Sequence, residues 1–276
     1  MTALAIDNLL DTQTVALRDI VCDGKCRQMS AEECPGATYL VFPYRGVYVR
    51  HLGRNEAVAE ANQVLFFNQS ESYCISHPVQ GGDACLSIGI SEQFLHELAP
   101  KEHLQDGAAV TFRMQRLRID PRAQVLVALL RHSLMNRSIE TLEAETLTLT
   151  LIRRALGERT SHVTRASYGR QKLVDRAKLV LSSELSRRWT LAEIASAVGV
   201  SPVYLTQAFA QAEGVPLYRY QLRLRLARAL DLLGSNDDLA ALGMELGFSS
   251  HSHFSAAFRQ AYGRTPVQFQ RSANLR

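Results

Sequence analysis

A short helical pattern that occurs twice in the C-terminal part of this 276-residue chain constrains its fold most strongly. In the first copy, Thr190 and Glu193 have the spacing of a capping box at the start of a short apolar helix. Gly199 stands where a left-handed turn is needed, a conformation that glycine enters without a Cβ clash. Ser201 and Pro202 then supply an N-cap and a first-turn proline for a second helix. This order of elements predicts a helix-turn-helix unit.

The second copy lies 49 residues further along, where Ser250 corresponds to Ser201 and Gly247 marks the turn. Between the copies, residues 217–233 have the apolar periodicity of one helix, which would be roughly 25 Å long at 1.5 Å per residue. That length is close to the separation of successive major grooves, about 34 Å along a duplex. Two equivalent units on one connecting helix therefore predict a double DNA-binding module. The apolar residues predicted to form the core of its second helices are Leu205, Phe209, Phe254 and Phe258.

The charge distribution agrees with this prediction. Residues 166–276 contain 14 Lys and Arg against 8 Asp and Glu, whereas residues 1–165 contain 17 against 19. The basic excess is thus confined to the segment with the repeated pattern. Such an asymmetry favours a polyanion-binding module joined to a near-neutral module for sensing or assembly.

The N-terminal half has a different pattern. Between about 38 and 90, short runs of β-branched and aromatic residues alternate with turn residues, which predicts a small β-sandwich or barrel. Two apolar helical stripes follow, one from Pro121 and one ending at Gly157, with a loop at 136–138 between them. This helical pair is expected either to dock on the β domain or to pair with its copy in a dimer. Residues 158–169 lack periodicity, which is typical of a linker.

Nothing in the chain resembles a segment for membrane insertion or export. The longest apolar run, 125–130, is too short to cross a bilayer. Residues 1–10 contain an aspartate and no basic residue, unlike a secretory signal. We therefore expect a cytoplasmic location and no membrane partner.

Residues 173–269 resemble the AraC/XylS family of bacterial transcription regulators. The most specific stretch is 247–258, Gly-Phe-Ser-Ser-His-Ser-His-Phe-Ser-Ala-Ala-Phe, followed by Gly-Arg-Thr-Pro at 263–266. Two positions depart from the family pattern. Gly243 replaces the usual alanine, which predicts a first helix weakened by up to about 1 kcal/mol. Ala256 occupies a position where relatives often carry a long polar residue.

The resemblance implies an α+β chain with a non-enzymatic function. It implies a cupin-like β barrel with a helical hairpin (about 121–157) within residues 1–160, for effector sensing and dimerisation. A linker at 161–169 and an all-α double helix-turn-helix domain at 170–276 would follow. The implied function is a sequence-specific transcription regulator that senses a small molecule, a metal or a redox signal. Expected partners are double-stranded promoter DNA, an unidentified small effector, a second copy of the chain and, for an activator, RNA polymerase.

The residues predicted to contact DNA lie mainly on the second helix of each unit. Gln207 has the amide needed to pair with adenine, and Val203 and Thr206 have methyl groups suited to thymine. The other predicted base contacts are Gln211, His251, Ser252 and Ser255. The predicted phosphate contacts are His253, Arg259, Arg187, Arg188, Arg219 and Arg223. An ion pair with Asp231 or Glu245 is the competing role for Arg223.

The five cysteines are too few and odd in number for a disulfide framework. Cys22, Cys26 and Cys34 lie close together in sequence, and their thiolates are candidate ligands for a metal ion such as zinc. Their spacing is not a usual zinc pattern. A redox-sensing thiol and incidental reduced thiols are therefore alternatives. The polar residues Arg50, His51, His77 and Asp83 lie beside apolar strands and are interpreted as turn or rim residues.

The competing hypothesis is a DNA-repair protein in which a zinc-held cysteine accepts alkyl groups from damaged DNA. Against it, the second close cysteine pair is missing, because Cys74 and Cys85 are far apart in sequence. The chain also lacks a P-loop, a Gly-x-Ser-x-Gly elbow and a His-Glu-x-x-His motif.

Overall fold

The computed structural model describes residues 4–25, 29–105, 107, 109–164 and 166–273, and it has the expected α+β architecture. The strands are β1 (Leu4–Asp11), β2 (Val15–Cys22), β3 (Tyr39–Gly46), β4 (Tyr48–Leu52), β5 (Asn55–Ala59), β6 (Gln63–Phe67), β7 (Cys74–Ser76), β8 (Asp83–Ile90), β9 (Leu104–Gln105), β10 (Thr111–Phe112) and β11 (Arg116–Arg118). The helices are α1 (Glu92–Leu98), α2 (Pro121–Met135), α3 (Thr141–Leu156), α4 (Tyr168–Ser183), α5 (Leu191–Val198), α6 (Pro202–Glu213), α7 (Leu217–Leu232), α8 (Leu239–Glu245), α9 (His251–Tyr262) and α10 (Pro266–Ala273). None of the helices in the described part of the chain has the length and apolar character to cross a bilayer.

The N-terminal strands form two facing sheets, which agrees with the sandwich alternative of the strand pattern and not with the barrel that the family resemblance implied. The larger sheet has the order β1-β2-β8-β3-β6-β11, and a three-stranded sheet has the order β5-β4-β7. Among the residues that the structure describes, the edge strands of the larger sheet, β1 and β11, each pair with one neighbouring strand. The chain passes from the first sheet to the second at Gly46, whose φ of 70° turns β3 into β4. The prediction of a cupin-like barrel is therefore corrected to an open two-sheet arrangement.

The larger sheet is covered on both faces, as the nearly continuous burial of β3, β6 and β8 shows. One face, with Leu40, Phe42 and Phe66, forms a common core with helices α2 and α3. The other face, with Val41 and Leu65, packs against the smaller sheet. The predicted helical pair is confirmed, and it docks on the β domain. At its start, the Asp120 side chain caps α2 by accepting from the Ala123 N–H at 2.9 Å.

The first helix-turn-helix unit has the predicted local geometry. Thr190 and Glu193 form the reciprocal capping box of α5, and Gly199 ends that helix in the left-handed conformation at φ 75°. Ser201 caps α6 by accepting from the Tyr204 N–H at 3.2 Å. The hydrogen bonds hold the Glu193 carboxylate in its charged form and lower its pKa to about 2, first through the Thr190 backbone and side chain and then through Arg187.

The second unit repeats this arrangement in α8 and α9. Ser250 caps α9, and Gly247 adopts a φ of 83° in the turn. Gly243, expected to weaken α8, has a packing function: a Cβ there would lie 3.1 Å from the Cβ of Phe254. The glycine thus permits the close approach of α8 to α9. The connecting helix α7 has 16 residues and is about 24 Å long, as expected.

The two units are fixed to each other by Arg225 of α7. Its guanidinium donates to the carbonyl oxygens of Leu185, Ser186 and Arg187, which follow α4, and to that of Gly247 in the second turn, at 2.7–3.1 Å. The backbone approaches closely at the same place, because a Cβ on Gly247 would lie 2.2 Å from the Ser186 carbonyl oxygen. One side chain therefore connects the turn of the second unit to the segment that precedes the first.

Helix α2 also packs against the C-terminal helices. Val125 and Ala128 share one hydrophobic cluster with Leu226, Leu230 and Phe258. The segment between α3 and α4 is attached too, since His162 forms an isolated bridge with Arg118. Helix α4 begins at Tyr168, inside the predicted linker 161–169. The domain boundaries at 160 and 170 stay a prediction.

A buried network of charged groups joins the N-terminal sheet to the first helix-turn-helix unit. Arg116 of β11 forms a bidentate pair with Asp175 of α4, with both distances 2.7 Å. The fully buried Lys178 lies 2.6 Å from Glu213 of α6 and 3.5 Å from Asp175. Burial opposes ionisation of Glu213, but Lys178 and Arg116 outweigh it and lower the pKa of this carboxyl. Glu213 therefore stays charged at neutral pH.

Beside this network, a second buried contact involves Tyr220 of α7. Its hydroxyl donates to Glu60, and its carbonyl oxygen accepts from the Asn62 amide at 3.4 Å. Burial raises the pKa of Glu60. Helix α4 is thus attached to β11, α7 to the turn between β5 and β6, and α6 to α4 through Lys178.

We expect Lys178→Met to destabilise the protein by about 3–5 kcal/mol, because it leaves Glu213 buried without its closest partner. The matched control is Lys172→Met, which removes a lysine from a half-exposed pair with Glu56 at 3.7 Å. That change should cost about 0–1 kcal/mol. Urea unfolding of the three proteins measures both values, and equal losses would contradict the importance of the buried network.

We expect Arg225→Met to lower the free energy of unfolding by about 2–3 kcal/mol, because four carbonyl oxygens lose a charged donor. Arg271→Met, at an exposed position of α10, removes the same charge without these contacts and should change stability by less than about 0.5 kcal/mol. Thermal and urea unfolding compare the two variants. A loss in Arg225→Met no larger than in the control would show that the two units are held by apolar packing alone.

Candidate nucleic-acid interface

The second helix of the first unit, α6, has one buried face and one polar exposed face. Leu205 and Phe209 are fully buried, as predicted, and Val203 is 68% exposed. The predicted base contacts Thr206, Gln207 and Gln211 are likewise exposed. The four candidates therefore share an accessible helix surface that the N-terminal half does not cover.

The hydrogen bonds on this surface determine what each residue can offer to a base. The Thr206 hydroxyl donates to the Pro202 carbonyl oxygen at 2.9 Å, so its methyl group and an oxygen lone pair are left for a ligand. The Gln207 amide makes no hydrogen bond within the described part of the chain. Its donor and its acceptor are both available for the bidentate contact with adenine.

The second helix of the second unit, α9, presents a corresponding surface. His251, Ser252 and His253 are exposed, Ser255 is half-buried, and Phe254 and Phe258 are fully buried, the last two as predicted. The ring of His253 is oriented by Ser249, whose hydroxyl lies 3.0 Å from Nδ1, and by edge contact with Phe248. His251 lies 3.4 Å from the Ser255 hydroxyl.

The arginines predicted to contact phosphate divide into two groups. Arg188, Arg219 and Arg259 are exposed, so their charge is accessible to a polyanion. Arg187 is already engaged, since it pairs with Glu193 at 2.7 Å and stacks on Trp189 at 4.0 Å. Arg187 thus supports the start of α5 in the absence of DNA.

Arg223 does not form the predicted ion pair with Asp231 or Glu245. Asp231 pairs instead with Arg131 at 2.6 Å and with Arg228. Arg223 is half-buried; burial first and then the neighbouring Arg118 lower its pKa. The position thus disfavours contact with a phosphate.

A cavity of about 460 Å³ lies between the two N-terminal sheets. Apolar and aromatic side chains such as Ile20, Tyr48 and Phe67 contribute to its wall, together with the polar residues Arg18 and Ser87. Its size and mixed lining are those of a site for a small organic ligand.

The cysteines predicted to hold a metal do not all lie at one place that the structure describes. Cys34 is exposed, and Cys26 lies outside the described residues. Cys22 instead lies beside His77 and Asp83, two residues that the sequence interpretation had placed at turns or rims. Both are buried, so that interpretation is wrong for them. The alkyl-acceptor hypothesis needs a four-cysteine zinc site, and it stays an untested prediction that a single-turnover alkyl-transfer assay addresses.

Sequence reasoning also missed the structural function of Arg225, which no local pattern marks. For His77 and Asp83, the sequence does contain a pattern that indicates their proximity. They flank a short loop containing Gly81 and Gly82, and such a loop brings its two ends together.

Comparison with known proteins agrees with the geometry of the C-terminal half. Residues 194–272 match a family described as a helix-turn-helix domain. The transcriptional activator CfaD of Escherichia coli is 33% identical over 96 residues, which is 34% of this chain and 36% of CfaD. The probable transcriptional regulator LumQ of Photobacterium leiognathi is 28% identical over 161 residues, or 55% of this chain and 61% of LumQ. The chain therefore spans only about a third of CfaD and under two thirds of LumQ.

A solved structure from Chromobacterium violaceum, described as a transcriptional regulator with an AraC-type DNA-binding domain, is 30% identical. It covers 40% of this chain and 98% of its own, with a TM-score of 0.37. The family match at 194–272 includes α6, α8 and α9 and the stretch at 247–266. The C-terminal half of the chain therefore contains an AraC-type helix-turn-helix domain, as transcriptional regulators such as CfaD do.

Proposed function

We propose that this protein regulates transcription by binding promoter DNA with α6 and α9 in neighbouring major grooves. The observation that carries the proposal is the exposure of both helices while the C-terminal half is packed against the N-terminal half. Two accessible polar helix faces on one fixed framework suit two groove contacts along one side of a duplex. Because DNA lies in the cytoplasm of a bacterial cell, the proposal keeps the predicted cytoplasmic location.

Base contacts and phosphate contacts have separate functions in this proposal. Gln207 and His251 are accessible for hydrogen bonds to base edges, whereas Arg188, Arg219 and Arg259 supply charge for phosphates. Affinity should therefore depend steeply on salt, and discrimination between sequences should depend on the second helices.

The N-terminal half is proposed to sense a signal in the cavity between its sheets. A chain of contacts leads from this sheet to α7: the Tyr44 hydroxyl donates to Asp19 at 2.8 Å, and the Arg131 guanidinium lies over the Tyr44 ring at 4.0 Å. Arg131 then pairs with Asp231 of α7. Asp19 lies between Arg18 and Ile20, two residues of the cavity wall. An effector acts through this route only if it binds two arrangements of the halves with different affinity.

CfaD is described as an activator, and we extend that sign of regulation to this chain. Activation makes RNA polymerase a second protein partner. A homodimer would present four DNA-contacting helices, two copies each of α6 and α9, and would therefore bind a longer DNA site.

The proposal is tested by footprinting the full-length protein on the DNA that flanks its own coding region. We expect protection of two major-groove segments per protomer, about 10 base pairs apart. Protection that spreads evenly over promoter and random DNA would contradict a sequence-specific regulator.

We expect Gln207→Ala and Arg259→Ala to weaken binding in different ways. Loss of the Gln207 amide should reduce discrimination at one base pair by about 1–3 kcal/mol, with little change in affinity for random DNA. Loss of the Arg259 charge should weaken binding to all sequences and reduce the slope of log K against log salt by about 1. Fluorescence anisotropy over a salt series, with matched and mismatched duplexes, measures both effects. An equal loss on all duplexes for Gln207→Ala would place this residue at phosphate and not at a base.

A further inference from the structure

Three residues with metal-binding side chains meet at the wall of the N-terminal cavity: Cys22, His77 and Asp83. One ligand atom from each lies within 4.8 Å of the other two. His77 Nε2 and Asp83 Oδ1 are 2.5 Å apart. His77 is 7% and Asp83 6% exposed, so the cluster lies inside the protein.

The two facing sheets bring these residues together. Cys22 and Asp83 are direct partners in the antiparallel register of β2 and β8, which places both side chains on one face of the larger sheet. His77 follows β7 of the smaller sheet and is connected to Asp83 by the loop 78–82. The cluster therefore bridges both sheets at one end of the cavity.

The backbone around the cluster is packed so closely that it requires glycine at three positions. A Cβ on Gly82 would lie 2.3 Å from the Cys22 carbonyl oxygen, and one on Gly46 would lie 2.0 Å from the Gly82 carbonyl oxygen. A Cβ on Gly24 would lie 2.6 Å from the Gly82 Cα. All three glycines have a positive φ. Three chain segments thus hold the positions of Cys22 and Asp83 without freedom to spread.

The hydrogen bonds of the His77 ring are incomplete. Nε2 contacts Asp83, but the buried Nδ1 has no hydrogen-bond partner among the residues that the structure describes. A metal ion at this cluster would bind through Nε2, the nitrogen that faces Asp83, because Nδ1 lies on another side of the ring and cannot reach the same ion. Nδ1 would then be the nitrogen that donates to a group outside the metal site, as in most metal-binding histidines.

We propose that Cys22, His77 and Asp83 bind one divalent transition-metal ion, for which zinc is the best match. A thiolate and an imidazole select zinc and similar metals over magnesium or calcium. One thiolate and one carboxylate also neutralise a doubly charged ion, which removes the cost of burying net charge. With bond lengths of about 2.0–2.3 Å, ligand atoms around a tetrahedral zinc lie about 3.3–3.8 Å apart. Metal binding therefore requires His77 Nε2 and Asp83 Oδ1, now 2.5 Å apart, to separate by about 1 Å. The Cys22 sulfur already lies within 4.8 Å of both atoms.

Three protein ligands leave a fourth position of the metal available to water or to a molecule in the cavity. A ligand in the cavity that carries a metal-binding group could therefore coordinate the ion at the cavity wall. The proposal deepens the sensing part of the proposed function and rests on it for this regulatory meaning. Metal binding itself is measured without DNA, so a failed footprint and an absent metal are separate results.

The test begins with the full-length wild-type protein, stripped with a chelator, dialysed against zinc and analysed for metal content. We expect one zinc per chain. Replacement by Co²⁺ should give the absorption of a tetrahedral ion with a thiolate-to-cobalt charge-transfer band. Substoichiometric metal, or a cobalt spectrum without the thiolate band, overturns the proposal without any variant.

Variants then identify the ligands. Cys22→Ser and His77→Gln should each weaken zinc binding by at least about tenfold, and Asp83→Asn by a similar or smaller factor. The matched controls are Cys34→Ser, at an exposed thiol, and His51→Gln, whose ring contacts Ser76 and Glu56. Both should keep one zinc per chain. Zinc that is lost equally in the controls, or retained in Cys22→Ser, overturns the assignment. Circular dichroism of each variant separates loss of metal from loss of fold.

Discussion

The architecture depends on charged groups that are buried where the N-terminal sheet meets the first helix-turn-helix unit. Arg116, Asp175, Lys178 and Glu213 satisfy one another there, and each comes from a different element or a different turn of helix. Charges removed from water are tolerated only when each has a partner in good geometry. The network consequently fixes one relative position of β11, α4 and α6, because sliding any of them would leave a charge unpaired.

This fixed position has a consequence for DNA binding. The N-terminal half covers the apolar side of the C-terminal helices through Val125 and Ala128, but the polar sides of α6 and α9 stay accessible. Within the second half, Arg225 keeps the two turns in contact. The cavity proposed for sensing and the side chains proposed to contact bases therefore lie in different halves of the chain. In that proposal a signal passes between them through packed contacts such as that of Arg131 with Asp231.

The sequence predicts the C-terminal half well because its signals are local. Caps at Thr190, Ser201 and Ser250 and left-handed glycines at 199 and 247 each depend on a few neighbouring residues. The sequence pattern does not predict the strands β1 and β2, because their signals depend on residues that are distant in the chain. Asp19 occupies an inward position of β2 and is buried against Tyr44, so the alternation expected of a half-buried strand is interrupted by a charge.

The candidate sites divide in the same way. Exposure of Gln207 and His251 follows from helical periodicity once the core positions are assigned. The partners of Arg223, Arg225 and His77 depend on which distant segments come together, and no spacing in the chain encodes that. Gly243 shows the limit of helix propensity as a guide. Glycine lowers the stability of α8 as an isolated helix, but it also allows the Phe254 side chain of α9 to approach α8 closely.

Because α2 belongs to two cores at once, the halves of this protein are not interchangeable modules. Val127 packs into the sheet side and Val125 into the helix side of the same helix. A fragment starting at residue 170 would expose an apolar surface around Leu226 and Phe258 to solvent. It would also lack Arg116, the ion-pair partner of Asp175. Transplanting the DNA-binding half onto another sensor would therefore require a substitute for α2, whichever promoter the fusion was meant to recognise.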